Sequence, residues 1–166
     1  MISLLKFFRF LGPTLLFFGT FVVLPPVVLS YFNNVLDNEM LNIYLVCMAY
    51  SVIIFFTLRQ RKFTYSPKDG FVITFLTWVI ISLLASMPFL NANLVFFDAL
   101  FEAVSGLTTT GSTVIKDLSQ LPDHILLYRQ LLQWAGGVGL VIVVLAIIPA
   151  VSGGMKVLQA ETSGFA

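Results

Sequence analysis

Thr108, Thr109 and Thr110 run directly into Gly111 and Ser112, and this short segment carries the most distinctive chemistry of the chain. A cation passing through protein must exchange its water shell for oxygen ligands, usually backbone carbonyls held in a ring. Extended backbone supplies carbonyls, β-branched threonines stiffen it, and glycine lets one peptide take a conformation that L-residues resist. The alternative reading is a threonine-rich turn whose hydroxyls satisfy its own backbone. Upstream, Asp98 and Glu102 stand four residues apart and so share one face of a short helix, from about Val95 to Leu107. The C-terminal end of that helix would face the threonines with about half a negative charge, which favours a cation. Arg129 is the obvious countercharge, and an ionisable residue in an apolar setting needs a named partner. We expect a Glu102–Arg129 pair that supports the segment rather than binding an ion directly.

These residues must be positioned by membrane helices. The chain has 166 residues, is 58% hydrophobic and only 10% charged, against about 25% charged in ordinary soluble domains. Four runs reach the roughly 20 apolar residues that span a bilayer: Phe10–Tyr31, Leu41–Leu58, Phe71–Leu90 and about Ile125–Pro149. The first is too long for a signal-peptide core and lacks a small-residue cleavage site. It is read as a retained helix, kinked or terminated near its outer end by Pro25 and Pro26. Arg59, Arg61, Lys62 and Lys68 crowd the loop between the second and third runs, which assigns that loop to the cytoplasm. Both termini, with Lys6, Arg9 and Lys156, then fall on the cytoplasmic side. This requires the segment from Val95 to Thr113 to enter from outside and return without crossing. Asn91, Ala92 and Asn93 give the preceding turn, after Met87-Pro88 closes the third run.

The expected fold is therefore an all-α integral membrane protein. Two leading transmembrane helices and a basic cytoplasmic loop (1–70) precede one helix–pore loop–helix unit with a re-entrant half-helix (71–150) and a cytoplasmic tail (151–166). Gly136, Gly137 and Gly139 lie mid-membrane in the fourth run, either for close helix packing or as a hinge. Cys47 is the only cysteine, so no intramolecular disulfide forms, and it is read as packing. His124, the only histidine, is expected to be exposed near a helix cap. Trp78 is read as lipid-facing or core packing. No arrangement for nucleophilic or acid–base catalysis appears, and no phosphate-cradling loop, so no enzyme activity, cofactor or nucleic-acid partner is expected of this chain.

The string FEAVSGLTTTGSTV, followed by LPDHILLYRQLLQWAGGVGLVIVVLAIIP, resembles the first pore unit of TrkH-type potassium uptake proteins, in the Trk, Ktr and HKT superfamily. The glutamate-bearing pore helix, the TTTG segment, the YRQ-x-x-QW segment containing Trp134 and the GG-x-G helix occur in family order. SGGM at Ser152–Met155 and AET at Ala160–Thr162 extend the likeness. The resemblance implies that Gly111 is the selectivity glycine and that the carbonyls of Thr108, Thr109, Thr110 and Gly111 bind the ion. Glycine at that position, where plant relatives associated with sodium transport carry serine, points to potassium.

Family members carry four such units in one polypeptide, whereas this sequence holds one TTTGS segment. One strand cannot form a ring, so the chain is expected to be the N-terminal part of a larger transporter, or to assemble from identical copies. The alternatives are a non-conducting remnant or assembly piece, and a multispanning membrane protein of unrelated function. The topology suggests a bacterial inner membrane with membrane lipid as surroundings, and the resemblance implies a cytosolic nucleotide-binding regulatory subunit as partner.

Overall fold

The computed structural model describes residues 4–61, 63 and 67–139. The end of the fourth run, Pro149, the tail 151–166 and Lys62 lie outside the described residues. The chain starts with α1 (Leu4–Phe18), passes through a π-helical turn (Gly19–Val23) and continues as α2 (Leu24–Phe32). These form one apolar rod of 29 residues, about 43 Å long at 1.5 Å per residue. Pro25 and Pro26 therefore neither end nor break it. Both fall in the first turn of α2, where a missing N–H costs little. The preceding π turn absorbs the change of register, with Leu24 N–H reaching back to the Gly19 carbonyl.

The rod ends where Asn34 turns left-handed (φ 57°). Val35 N–H reaches the Ser30 carbonyl and Asn34 N–H that of Tyr31, a closure that satisfies otherwise orphaned carbonyls. Asp37 then caps α3 (Asn38–Leu58) by accepting from Met40 N–H at 3.0 Å. The rod and α3 approach closely because Gly12 lies against Ile54, and Gly19 against Cys47 and Met48. Ser51 Oγ lies 2.9 Å from the Gly12 carbonyl and 2.7 Å from that of Cys47. Cys47 is buried in this contact.

α4 (Pro67–Asn91) includes Pro88 and runs three residues beyond it, so the proline does not close the helix. Its end repeats the first reversal: Asn93 is left-handed (φ 65°), and Leu94 N–H reaches the Phe89 carbonyl. The short α5 (Phe96–Leu107) follows at once. Twelve residues make about 18 Å, well short of a hydrocarbon core of about 30 Å. A polar stretch containing a 3₁₀ turn (Leu118–Gln120) leads to α6, helical from residue 123 to the last described position, 139.

One ion pair and one histidine–carboxylate contact fix which helix ends lie together. Lys6 Nζ meets Asp69 Oδ2 at 2.8 Å, joining the start of α1 to the start of α4. His124 Nε2 lies 3.5 Å from Asp37 Oδ2, joining the start of α6 to the turn before α3. α4 thus ends, and α6 begins, at the Asp37 end of the bundle. The segment between them leaves and returns at one end, which is the re-entrant arrangement. Buried Phe89, Ala99, Ala103, Tyr128 and Leu132 form the core of this half. Tyr128 donates to the Ala85 carbonyl at 3.1 Å.

Candidate ion-conducting site

α5 places Glu102 on its buried face, with no exposed area, while Asp98 is exposed. Four-residue spacing gives them one side of the helix, yet α5 is covered only along its deeper part. Glu102 Oε2 accepts from Arg129 Nε at 2.8 Å. Its Oε1 accepts from Thr113 Oγ1 at 2.5 Å and from Val114 N–H at 2.8 Å. One carboxylate thus ties α5, α6 and the segment that follows TTTG. A buried ion pair holds only when its remaining hydrogen-bonding capacity is filled. No fully buried side-chain nitrogen or oxygen among the described residues lacks a partner.

Arg129 extends beyond the pair. Its second amino group lies 3.4 Å from the Gly111 carbonyl and 3.5 Å from that of Ser112. Ser105 Oγ donates to the same Ser112 carbonyl at 2.6 Å. The loop is therefore held from α5 and α6 together. Ser105 and Thr113 are supports that the sequence reading did not assign. Ser105 could have been found, since it stands three residues from Glu102 on the same face.

The backbone of the loop follows from how α5 ends. Thr108 N–H bonds the Val104 carbonyl, Thr109 N–H that of Gly106, and Thr110 and Gly111 N–H both point to Ser105. This is the closure seen at Asn34 and Asn93, but the left-handed residue is now Thr109 (φ 58°), followed by Gly111 (φ 73°). A β-branched residue in that region is strained, and such strain clusters where the surroundings enforce it. In a trans peptide the carbonyl points opposite the N–H of the next residue. With the N–H groups of Thr109, Thr110 and Gly111 turned onto the helix, the carbonyls of Thr108, Thr109 and Thr110 face away from it. Thr108, Thr109, Thr110 and Gly111 are all exposed.

α6 backs this loop with a stripe of small residues. A Cβ on Gly136 would stand 2.0 Å from the Leu107 carbonyl oxygen, so the end of α5 rests directly on the α6 backbone. Gly106 faces Leu132 in the same way, at 3.0 Å. Gly137 faces Thr109 and Gly139 faces Trp78, both at ordinary contact distance. Trp134 lies elsewhere on α6, its ring 6.2 Å from that of Phe17. His124 is buried beside Asp37, not exposed as expected, because α6 starts beneath the turn before α3. In the loop between α5 and α6, Asp117 accepts from the Ser119 hydroxyl, the Gln120 amide and Ser119 N–H. These bonds, the Ser119 hydroxyl first, hold its carboxyl below the usual carboxylate range.

Three apolar helices around a re-entrant half-helix, whose polar loop is braced by a buried ion pair, define an α-helical membrane protein of the pore-loop kind. The sequence model of TrkH, a cation transport protein, matches residues 36–164. The Trk system potassium uptake protein TrkH of Vibrio parahaemolyticus is 36% identical over 160 residues, covering 94% of this chain and 33% of that protein. The namesake of Salmonella typhimurium is 34% identical with the same coverage. The crystal structure of the potassium transporter TrkH from Vibrio parahaemolyticus matches with a TM-score of 0.76 and 35% identity, over 89% of this chain and 32% of that one. The chain belongs to the TrkH family, and it spans about a third of the length of the curated relatives it matches.

Proposed function

We propose that this chain supplies one selectivity-filter segment of a potassium-uptake pathway in the cell inner membrane, with its termini on the cytoplasmic side. The observation that carries this reading is the turning of the Thr109, Thr110 and Gly111 N–H groups onto the end of α5. It leaves the carbonyls of Thr108, Thr109 and Thr110 as outward-facing ligands for a dehydrated cation. Gly111 supplies the left-handed step (φ 73°); its own carbonyl lies near Arg129, and that of Thr108 also accepts from Thr109 Oγ1 at 2.7 Å. Glu102 and Arg129 act as supports set behind the loop. The relatives named for potassium uptake favour potassium as the ion.

A ring of ligands needs further filter segments, from other pore units or from further copies of this chain. The test is rubidium or potassium uptake by cells lacking their own importers, expressing this chain alone and together with the remaining pore units of a relative, each beside Gly111→Ser. Uptake whose ion preference Gly111→Ser shifts is the expected result. Membrane-inserted protein that gives no uptake in either combination would sink the reading in favour of a non-conducting piece. Uptake indifferent to Gly111→Ser would show that the loop is only a turn.

A further inference from the structure

An apolar slot of about 330 Å³ opens between α1, α4 and α6, at the foot of α5, within the usual size range of ligand cavities. Phe10, Pro13, Thr14 and Phe17 line it from α1 at helical spacing, one face over two turns. Thr74, Thr77, Trp78 and Ile81 line it from α4 in the same manner. The slot is therefore elongated along the helix axes, roughly 11 Å at 1.5 Å per residue. It is wide because Ala135 and Gly139 stand where α6 would otherwise project side chains. It offers no hydrogen bond from Thr14 or Thr77, whose hydroxyls are spent on the carbonyls of Phe10 and Ile73. Thr74 adds a single hydroxyl to the lining, and a buried water needs two to four polar partners.

One end of the slot lies towards the Lys6–Asp69 end of the bundle. Lys6 is paired with Asp69, whereas Arg9 has no ion pair among the described residues. Arg9 precedes Pro13 by four positions and adjoins Phe10, so it stands at the edge of the slot-lining face near that end. A long cationic side chain at that level extends to the headgroup region, where anionic lipid attracts it. An elongated apolar slot parallel to the spanning helices, with a guanidinium at its edge that has no ion pair among the described residues, has the shape and charge of a phospholipid site.

We propose that the slot holds one acyl chain of an anionic phospholipid, with its phosphate on Arg9. The chain end would then touch Leu107, the last residue of α5. Because Trp78 lines the slot, tryptophan quenching reads its occupancy directly. The full chain carrying Trp134→Phe would be placed in vesicles of phosphatidylglycerol or phosphatidylcholine with brominated acyl chains. The expected result is Trp78 emission quenched about twofold, with the quenching at least halved in Ala135→Phe and in Thr74→Phe, two fillings made from different helices. At low brominated-lipid fraction, quenching by phosphatidylglycerol should exceed that by phosphatidylcholine about threefold, and Arg9→Gln should abolish that difference. Unquenched Trp78 would overturn the proposal and assign the slot to protein. Quenching equal in the parent and both filled variants would overturn it too, as contact with surrounding lipid only. Quenching without a headgroup difference that Arg9 controls would overturn the anionic assignment.

Discussion

Between the leading rod and α3, contact is made by apolar side chains and small residues, with polar links across the seam from Ser51 to the Gly12 carbonyl and from Tyr50 to that of Phe8. Between α5 and α6 the same kind of close approach, through Gly106 and Gly136, surrounds a buried carboxylate, a guanidinium and the carbonyls they hold. The first region is interchangeable physics: any well-packed pair of apolar helices would do. The second has few solutions, because each buried polar group must meet a particular partner. A fold can thus spend its tolerance for change in its scaffold and keep its exacting contacts where a loop must be held open.

The sharpest way to break this contrast is to remove one charge. Glu102→Gln leaves Arg129 buried without a countercharge, and breaking such a pair costs about 3–5 kcal/mol. Thermal unfolding in detergent should show a large loss, with ion preference unchanged in the protein that survives. A changed preference in normally stable protein would argue instead for direct ion binding by Glu102. Next in size is Gly136→Ala, whose methyl would collide with the Leu107 carbonyl. Overpacking of this kind costs roughly 1–3 kcal/mol. Gly137→Ala, with only ordinary contact to Thr109, should be neutral or gain about 0.5–1 kcal/mol from helix propensity. Equal tolerance of the two would mean that α5 does not sit on α6 as described.

In the scaffold half the effects shrink. Ser51→Ala removes the bond to the Gly12 carbonyl and should cost about 0.6 kcal/mol, the average for hydrogen bonds between membrane helices. A loss comparable to that of Glu102→Gln would erase the distinction between the halves. Smallest is the effect in the loop between α5 and α6. The Asp117 carboxyl is held below its ordinary range, so its cap contributes above the unfolded pKa and fades as pH falls through the lowered one. Carboxyl-carbon NMR should record that low titration point, and Ser119→Ala should move it upward.

Much of the architecture was legible because bilayer depth demands long apolar runs, and a short one between them has few places to go. The half-helix expected over Val95–Leu107 is α5 at Phe96–Leu107, with Val95 as its cap. Hydropathy marks the membrane slab and not the helix, so α3 and α4 extend past their apolar runs into Asn38, Glu39 and Asp69. The prolines misled because a proline's effect depends on its place in a turn, and the π turn before Pro25 left no local signature. At the site, Glu102 and Arg129 were visible as charges in apolar surroundings. Ser105 was legible only through its three-residue spacing from Glu102; Thr113 and the Leu107–Gly136 contact were not, since small and polar residues name no partner until the chain is folded. His124 was misplaced for a related reason: its burial comes from Asp37, 87 positions earlier in the sequence.

The seat of Leu107 on Gly136 has a mechanical consequence. Side chains at an interface can change rotamer and absorb a small displacement, but here peptide meets peptide and there is no slack. A tilt of α6, from whatever cause, must carry the base of the threonine loop with it. Spin labels on α5 and α6 should keep one separation while both move against α3. The loop and the helix behind it would then be a single moving part, and anything that pulls on α6 also acts on the threonine loop.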